Sequence, residues 1–233
     1  TRVGGYGSAL KGPLPSNAVI GSESETREVR VARARDLLIE DGWVEGEEGV
    51  LEKTVKKVTT RLAFSLSTAS APELKQAAEL VAEDWRALGA SVDLKFFEQN
   101  DLNVEVLRPR KYEALLFGLV VGREHDLFAF WHSSQRNDPG LNIALYANIA
   151  VDKLLDEARG EIDHVEREKL IKSVTEEIVS DHAAAFLYAP HFVYLTPQNV
   201  MGITLDTITN SSDRFASVED WYLGSEKVWP LFK

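Results

Sequence analysis

A strand, a helix and a second strand follow one another over residues 61–97, and this order constrains the fold more than any other feature. Apolar residues alternate at the end of an extended stretch, residues 50–67, and alternate again at residues 92–96. Between the two strands an apolar face recurs at helical spacing over residues 72–88, and Gly89 ends the helix. This order predicts a parallel strand pair with a right-handed crossover, and therefore an α/β fold.

The other elements are predicted from the same periodicities. Residues 1–28 are rich in Gly and Pro and are expected to form a loop. The longest apolar run, residues 114–121, predicts a buried strand over residues 112–121. The remaining predictions are helices at residues 30–41, 99–107, 151–159 and 163–181, and a last strand at residues 184–194.

Length and composition limit the class of protein. The chain has 233 residues, which is enough for one large domain or two small ones. Its net charge of −11 argues against a surface that binds nucleic acid or an anionic membrane. It has no Cys, which excludes disulfides, thiolate metal sites and Cys nucleophiles. No apolar run approaches the roughly 18 residues needed to cross a bilayer.

The side chains that could carry catalysis form no recognisable motif. His125 and His132 lie near two carboxylates, but their spacing of seven matches no common zinc pattern, so hydrogen-bonded or solvated side chains are favoured. Asp181 and His182 are adjacent, and adjacent residues on a helix point in different directions. The glycines of residues 4–7 lack the strand and the Lys of a phosphate loop, which favours a connector. We therefore expect no catalytic residue, no metal and no cofactor.

Large aromatic residues are concentrated at the end of the chain. Five of them lie within residues 215–233, and this is too many to leave in water. They must pack either against the rest of this chain or against a partner surface. The five are Phe215, Trp221, Tyr222, Trp229 and Phe232.

Short segments in a fixed order resemble the C-terminal half of the family-5 extracellular solute-binding proteins, the peptide- and nickel-type receptors of ABC importers. No single segment is decisive, but the ordered set covers nearly the whole chain. The segments are ARDLL (34–38) with DGW (41–43), GVLEK (49–53), AEDW (82–85) with LG (88–89), KYEA (111–114) leading to Gly118, FAFWHS (128–133), Asn142, Tyr146, Asn148, VDKLL (151–155), Arg167, Leu170, FLYAP (186–190), RF (214–215) and EDWY (219–222).

The resemblance implies an α/β fold that is the second lobe of a periplasmic-binding-protein-like (type II) two-lobed receptor, with a mixed sheet flanked by helices. Such receptors are about twice as long as this chain, so most of a first lobe is expected to be missing. Residues 1–20 would be a hinge or connector, and residues 21–195 the α/β lobe that closes on the ligand. Residues 196–233 would return to the first lobe, which accounts for the aromatic residues of the tail.

The same resemblance implies the substrate-binding component of an ABC importer. It would capture an oligopeptide or other small solute between two lobes and deliver it to the transmembrane subunits of the permease, without catalysis and without nucleic acid. The protein would be periplasmic, or anchored at the cell surface as a lipoprotein. The chain opens on Thr1, so a processed or excised piece without its targeting segment is expected. The alternative is an intracellular transcriptional regulator or sensor that carries such a lobe, and an enzyme ranks third.

The resemblance also implies where the ligand would lie. Peptide-binding members carry an acidic residue after the buried strand, and it pairs with the amino terminus of the peptide. Here Gly122 takes that place and Leu119 replaces the usual Trp, so a neutral ligand, or one held by the missing lobe, is expected; a shifted alignment would restore a charge from Arg123, Glu124 or Asp126. The predicted cleft-edge residues are Leu119, Val120, Val121, Gly122 and Arg123, with Trp131, Asn142 and Tyr146 near them. Trp131 as plain core and Asn142 as a turn cap stay open.

Overall fold

The computed structural model describes residues 7–15, 18–19, 25–122, 124–205 and 208–224. The chain forms two compact units, and neither is continuous in sequence. We call residues 21–119 and 134–143 the sheet unit. We call residues 1–20, 120–133 and 144–233 the helical-hairpin unit.

The elements have the following bounds. The helices are α1 (Arg27–Glu40), α2 (Pro72–Ala87), α3 (Gln99–Asp101), which continues as a π-helix over Leu102–Leu107, α4 (Phe128–Trp131), α5 (Ile149–Gly160) and α6 (His164–Ser180). The strands are β1 (Gly7–Leu10), β2 (Ala18–Val19), β3 (Val44–Glu45), β4 (Leu51–Val55), β5 (Val58–Arg61), β6 (Ala63–Ala69), β7 (Ser91–Phe97), β8 (Ala114–Leu115), β9 (Tyr188–Pro190), β10 (Val200–Met201) and β11 (Tyr222–Leu223).

The sheet unit is built on the predicted strand–helix–strand order. Strands β6 and β7 pair in parallel from Ala63 with Ser91 to Ala69 with Phe97, and β8 adds to the other side of β6 in parallel. Helix α2 packs on this sheet through alanines at positions 78 and 82, which let the helix approach closely. The parallel pair predicted from residues 61–97 is therefore confirmed.

An antiparallel sheet and α1 complete the sheet unit at the other end. The order of this sheet is β3-β4-β5, so the predicted extended stretch, residues 50–67, is a hairpin followed by β6. The backbone N–H of Leu51 donates to the carbonyl of Gly89, and the side chain of Leu51 is fully buried. Gly89 has a φ of +109°, a conformation that glycine adopts at low cost and that ends α2.

The predicted buried strand over residues 112–121 is wrong in length. Of the predicted strand only Ala114 and Leu115 pair with β6, and the hydrogen bonds continue one residue further, where the Leu116 N–H donates to the Ser67 carbonyl. Strand β6 ends at Ala69, so a strand in register with it has no partner beyond that point. Residues 118–120 are exposed, not buried.

The core of the helical-hairpin unit lies between α5 and α6, which pack on each other along one apolar face. Its buried members come from both helices, from the segment before them and from the start of the chain: Leu14, Leu127, Trp131, Val151, Leu155, Ala158, Ile171, Val174 and Ile178. Asn148 and Asp163 cap the two helices, each accepting two backbone N–H bonds from the first turn. The helices predicted at residues 151–159 and 163–181 are confirmed.

Two further predictions for the helical-hairpin unit need correction. The last strand is only β9, three residues long, and within the described ranges it pairs with Gly7 to Ala9 of β1. The predicted loop over residues 1–28 contains β1 and β2, and the first two residues of α1. A glycine-rich stretch can still supply the central strand of a sheet when one of its pairing partners is far away in sequence.

The tail beyond residue 196 forms a short ladder, in which β10 pairs with β11. Trp221 is half-buried against Phe215 and Tyr194, with ring centroids 5.7 Å and 6.3 Å away. Trp229 and Phe232 lie outside the described residues. Across the ranges that the structure describes, no helix combines the length and apolar character of a membrane span.

Candidate ligand-binding site

The predicted cleft-edge segment follows β8 in sequence, and its described residues, 119–122, have no regular secondary structure. Leu119 is 38% exposed and Val120 is 69% exposed, although both are apolar. Val121 is half-buried against the core of the helical-hairpin unit, and Gly122 is exposed. Arg123 lies outside the described residues. In open α/β sheets the carboxyl ends of parallel strands are the usual place for a ligand, so exposed apolar residues there suit a binding wall.

Polar groups lie at the carboxyl ends of β6 and β7 in the same sheet unit. The Ser70 hydroxyl oxygen lies 2.8 Å from the Phe97 carbonyl oxygen and 2.7 Å from Oε1 of Glu98. Thr68 donates to the carbonyl of Leu116. The sequence prediction missed Ser70 and Glu98. The signal that could have found them is their position, because each lies within three residues of the end of a predicted strand and directly after the observed one.

Trp131 belongs to the core of the helical-hairpin unit. Its side chain is almost fully buried, and its ring contacts Tyr146 edge-to-face at 6.0 Å and Phe186 at 5.9 Å. Aromatic pairs at these separations are favourable beyond the area they bury. The structure therefore places Trp131 where it stabilises the unit.

Tyr146 uses its hydroxyl group within the helical-hairpin unit. The hydroxyl donates to Oδ2 of Asp181 at 2.5 Å, and the Asn148 amide donates to the same oxygen at 2.8 Å. Partial burial and the bond to Asp181 raise the pKa of Tyr146 above its ordinary value. The two donors lower the pKa of Asp181, with the Tyr146 bond as the larger cause. Asp181 therefore accepts hydrogen bonds from Tyr146 and Asn148. The sequence suggested His182 as its neighbour and gave no sign of these two donors.

Asn142 belongs to a ten-residue segment of the sheet unit, residues 134–143, which we call the inserted loop. Its side chain is fully buried, and its backbone N–H donates to the Gln135 carbonyl. Arg110 donates to the carbonyls of Arg136 and Gly140 at 2.9 Å and 2.6 Å. The hydroxyl of Tyr112 donates to the carbonyl of Ile143, the last residue of the inserted loop. Asn142 is therefore held inside a loop whose shape is fixed from outside.

The histidine and carboxylate cluster forms a network on α4 and α5. The His132 ring stacks on Phe128 at 4.2 Å, and the guanidinium of Arg159 lies 4.4 Å from the same Phe128 ring. Nε2 of His132 is 3.9 Å from Asp152 and 3.8 Å from Asp156. Within the described ranges, no three His, Asp or Glu side chains come together as a metal would require.

Comparison with known proteins identifies what this fold resembles. No protein-family model matches the chain. The oligopeptide-binding protein AppA of Bacillus subtilis is 27% identical over 195 residues, and the match covers 82% of this chain and 34% of AppA. Protein XP55 of Streptomyces lividans is 28% identical over 214 residues, covering 89% of this chain and 38% of XP55.

Solved structures give the same answer. AppA in complex with a nonapeptide superposes with a TM-score of 0.69 at 23% identity, over 95% of this chain and 43% of AppA. NikZ of Campylobacter jejuni in complex with Ni(L-His) superposes with a TM-score of 0.62 at 22% identity, over 82% of this chain and 38% of NikZ.

These neighbours are two-lobed periplasmic binding proteins, so the fold is that of a part of such a protein. More particularly, the homologues and structural neighbours are family-5 peptide and nickel solute-binding proteins, which confirms the resemblance found in the sequence. The chain spans 34–38% of the length of the curated relatives it matches.

Proposed function

We propose that this chain is the ligand-closing part of a solute receptor of an ABC importer. The observation that carries the proposal is the superposition of 95% of the chain on AppA, a protein solved with a nonapeptide. The solute would be an oligopeptide or a similarly small molecule, delivered to the transmembrane subunits of a permease. The receptor would be periplasmic or anchored at the cell surface by a lipid, and it would have no catalytic activity.

We place the ligand against the segment from Leu119 to Arg123. The exposure of Leu119 and Val120 supports this placement. A ligand that covers solvent-exposed apolar side chains removes them from water, and this stabilises the complex. Gly122 offers no carboxylate to a peptide amino group, so the ligand is neutral or its charge is met by the first lobe. A buried charge without a partner would cost several kcal/mol.

Trp131, Asn142 and Tyr146 complete the proposed site as supports of its walls. Trp131 and Asn142 are buried, and the Tyr146 hydroxyl is engaged with Asp181. Rigid support of this kind limits the conformational entropy that a wall loses when it meets a ligand. Polar contacts at the carboxyl edge of the parallel sheet come, in this proposal, from Ser70 and Glu98.

The test compares this chain with a two-lobed version that carries a first lobe, by titration calorimetry with a nonapeptide and with Ni(L-His). We expect weak or undetectable binding to this chain alone, since half of the contacts and of the desolvation are missing. Micromolar binding by this chain alone would contradict the two-lobe proposal.

A matched pair of variants locates the site in the two-lobed protein. Leu119→Arg places a charge on the proposed wall and should weaken binding about tenfold or more. Leu37→Arg makes the same change at an exposed position of α1 and should leave binding unchanged. Equal effects of both changes would exclude Leu119 from the site.

A further inference from the structure

The hairpin formed by β4 and β5 ends in residues 54–61, which are exposed on both faces of the ribbon; we call them the hairpin tip. An isolated two-stranded ribbon is at best marginally stable in water. Val55 and Val58 are directly opposite each other, so their side chains share a face, and they are 54% and 65% exposed. The two valines therefore form a small exposed apolar surface, which no described residue of the chain covers.

The turn of the hairpin tip has an unfavourable sequence. Lys56 and Lys57 connect the two strands with φ values of +51° and +70°. A two-residue turn with both φ values positive is the type I′ turn, which prefers Asn-Gly because residues with a long side chain are strained there. Strain of this kind is often found at functional sites, and here it occurs at two consecutive Lys residues.

The charge of the hairpin tip is opposite to that of the whole protein. Residues 53–72 contain no Asp or Glu, although the chain has 37 of them and a net charge of −11. At the base of the hairpin, Lys53 pairs with Asp41 at 2.8 Å and Arg61 with Glu48 at 3.8 Å. Lys56 and Lys57 have no ion pair within the described ranges. The uncompensated positive charge is therefore concentrated at the turn.

The backbone of the hairpin tip is also available. Strand β5 is the edge of the order β3-β4-β5, so its outer side pairs with no strand that the structure describes. Edge strands bind extended peptides by adding a strand, with affinity from main-chain hydrogen bonds and specificity from alternate side chains. At the hairpin tip such a peptide would meet the apolar pair Val55 and Val58 and, at the turn, the two Lys residues.

We propose that the hairpin tip is a docking surface for an acidic, extended segment of another protein. The segment adds to the edge of β5, its carboxylates meet Lys56 and Lys57, and its apolar residues cover Val55 and Val58. An anionic membrane is a poorer occupant, because the valines are small, the tip has no aromatic residue, and the net charge of −11 is repelled by anionic lipids. The proposal is independent of the solute-binding function.

The test follows the backbone amide resonances of the ¹⁵N-labelled protein during titration with a capped peptide of alternating Glu and Val. We expect shifts confined to residues 54–61 and their neighbours, and weaker binding when salt is raised from about 20 mM to about 300 mM. A peptide of alternating Lys and Val should produce no such shifts. Shifts elsewhere, no shifts, or equal effects of both peptides would overturn the proposal.

A double variant separates docking from turn structure. Lys56→Asn with Lys57→Gly supplies the preferred type I′ sequence, so the melting temperature should not fall, while binding of the acidic peptide weakens about tenfold. Lys56→Gln with Lys57→Gln removes the charges without glycine and should weaken binding equally. The matched control, Lys111→Gln with Lys153→Gln, removes two exposed charges elsewhere and should leave binding unchanged.

Binding that survives both hairpin variants would overturn the proposal, as would equal loss in the control. The remaining competitor is a lipid surface. Co-sedimentation with vesicles that contain phosphatidylserine, at the same low salt, should leave the protein in the supernatant. Sedimentation that depends on Lys56 and Lys57 would assign the hairpin tip to a membrane and refute a protein partner.

Discussion

Asp181 accepts hydrogen bonds from two side chains, Tyr146 and Asn148, and its contribution to stability therefore depends on pH. These bonds lower the pKa of Asp181 in the folded protein, so the carboxylate holds its charge more strongly there than in the unfolded chain. A depressed folded pKa adds stability that is complete above the unfolded pKa, near 3.8, and is lost as the pH falls through the folded value.

Tyr146→Phe removes the hydrogen bond that lowers the pKa of Asp181 most. At neutral pH we expect the melting temperature to fall by about 2–4 °C, because a hydrogen bond to a carboxylate is lost while the ring still packs on Trp131. The difference between parent and variant should shrink as the pH drops below 3.8, where Asp181 takes up its proton in the unfolded chain. Thermal unfolding from pH 7 to about pH 2.5 measures it.

Tyr112→Phe is the matched control for that series. The Tyr112 hydroxyl donates to the Ile143 carbonyl, a neutral acceptor, so this change should cost the same at every acidic pH. If Tyr146→Phe behaves like Tyr112→Phe over this range, Asp181 is not the acceptor that matters.

The surroundings of single residues were the part that the sequence predicted least. The resemblance predicted that Trp131 and Tyr146 lie near the ligand. Their observed surroundings depend on distant residues: Trp131 contacts Phe186, about 55 residues further along the chain, and Tyr146 donates to Asp181, about 35 residues further along. Asn142 shows the same limit, since the buried position of its side chain depends on a loop held by Arg110. No local pattern encodes such partners.

The conformation of the inserted loop depends on contacts with residues outside it. Gly140 lies where an added Cβ would meet the Gln135 carbonyl oxygen at 2.2 Å, and that oxygen belongs to the backbone, which cannot move aside as a side chain can. Arg110 donates to the same glycine's carbonyl, so the loop cannot shift without breaking that bond.

Gly140→Ala should therefore destabilise the sheet unit by about 1–3 kcal/mol, the usual cost of forcing atoms into a packed site. Urea unfolding followed by fluorescence gives this free energy. Gly118→Ala is the control, because a Cβ there meets no atom within 4 Å and should change stability little. Equal stability of the two variants would show that the inserted loop is not rigid.

Elements with their own periodicity were predicted well, and elements defined by a partner were not. Helices α2, α5 and α6 carry apolar faces and recognisable ends, so their bounds followed from the sequence within a few residues. The run over residues 114–121 is as apolar as a buried strand, yet β8 ends at Leu115, opposite Ser67, and in this register residues 118–121 lie beyond the last residue of β6. An apolar run does not reveal the length of its neighbour.

At the scale of the whole molecule, the tail is the part whose assignment to a missing lobe stays a prediction. The described members of the core around α5 and α6 come from residues up to Phe186. Beyond them, β10 and β11 pair with each other, and Tyr222 and Leu223 are exposed.

Deleting residues 197–233 should leave the rest of the chain folded, with a melting temperature within about 3 °C of the parent. The physical reason is that the deletion removes exposed apolar surface and no described member of that core. Sedimentation velocity should also show less self-association after deletion, since exposed aromatic residues drive association. A loss of cooperative unfolding would place the tail within this part's own core.

The overall architecture was predictable because the strand–helix–strand order and the ordered segments of the resemblance both extend over long stretches of sequence. The predicted site could not be assembled in the same way. Leu119 lies in the sheet unit and Val120 in the helical-hairpin unit, and the sequence carries no signal for the point where the chain passes from one to the other.

The interleaving of the two units has a consequence for synthesis. The last segment of the sheet unit ends at residue 143, so that unit has all of its residues while much of the chain is still on the ribosome. The helical-hairpin unit must wait, because β1 at residues 7–10 pairs with β9 at residues 188–190. Contacts between such distant segments form slowly, which leaves β1 with β2 alone as a partner strand until β9 has been synthesised.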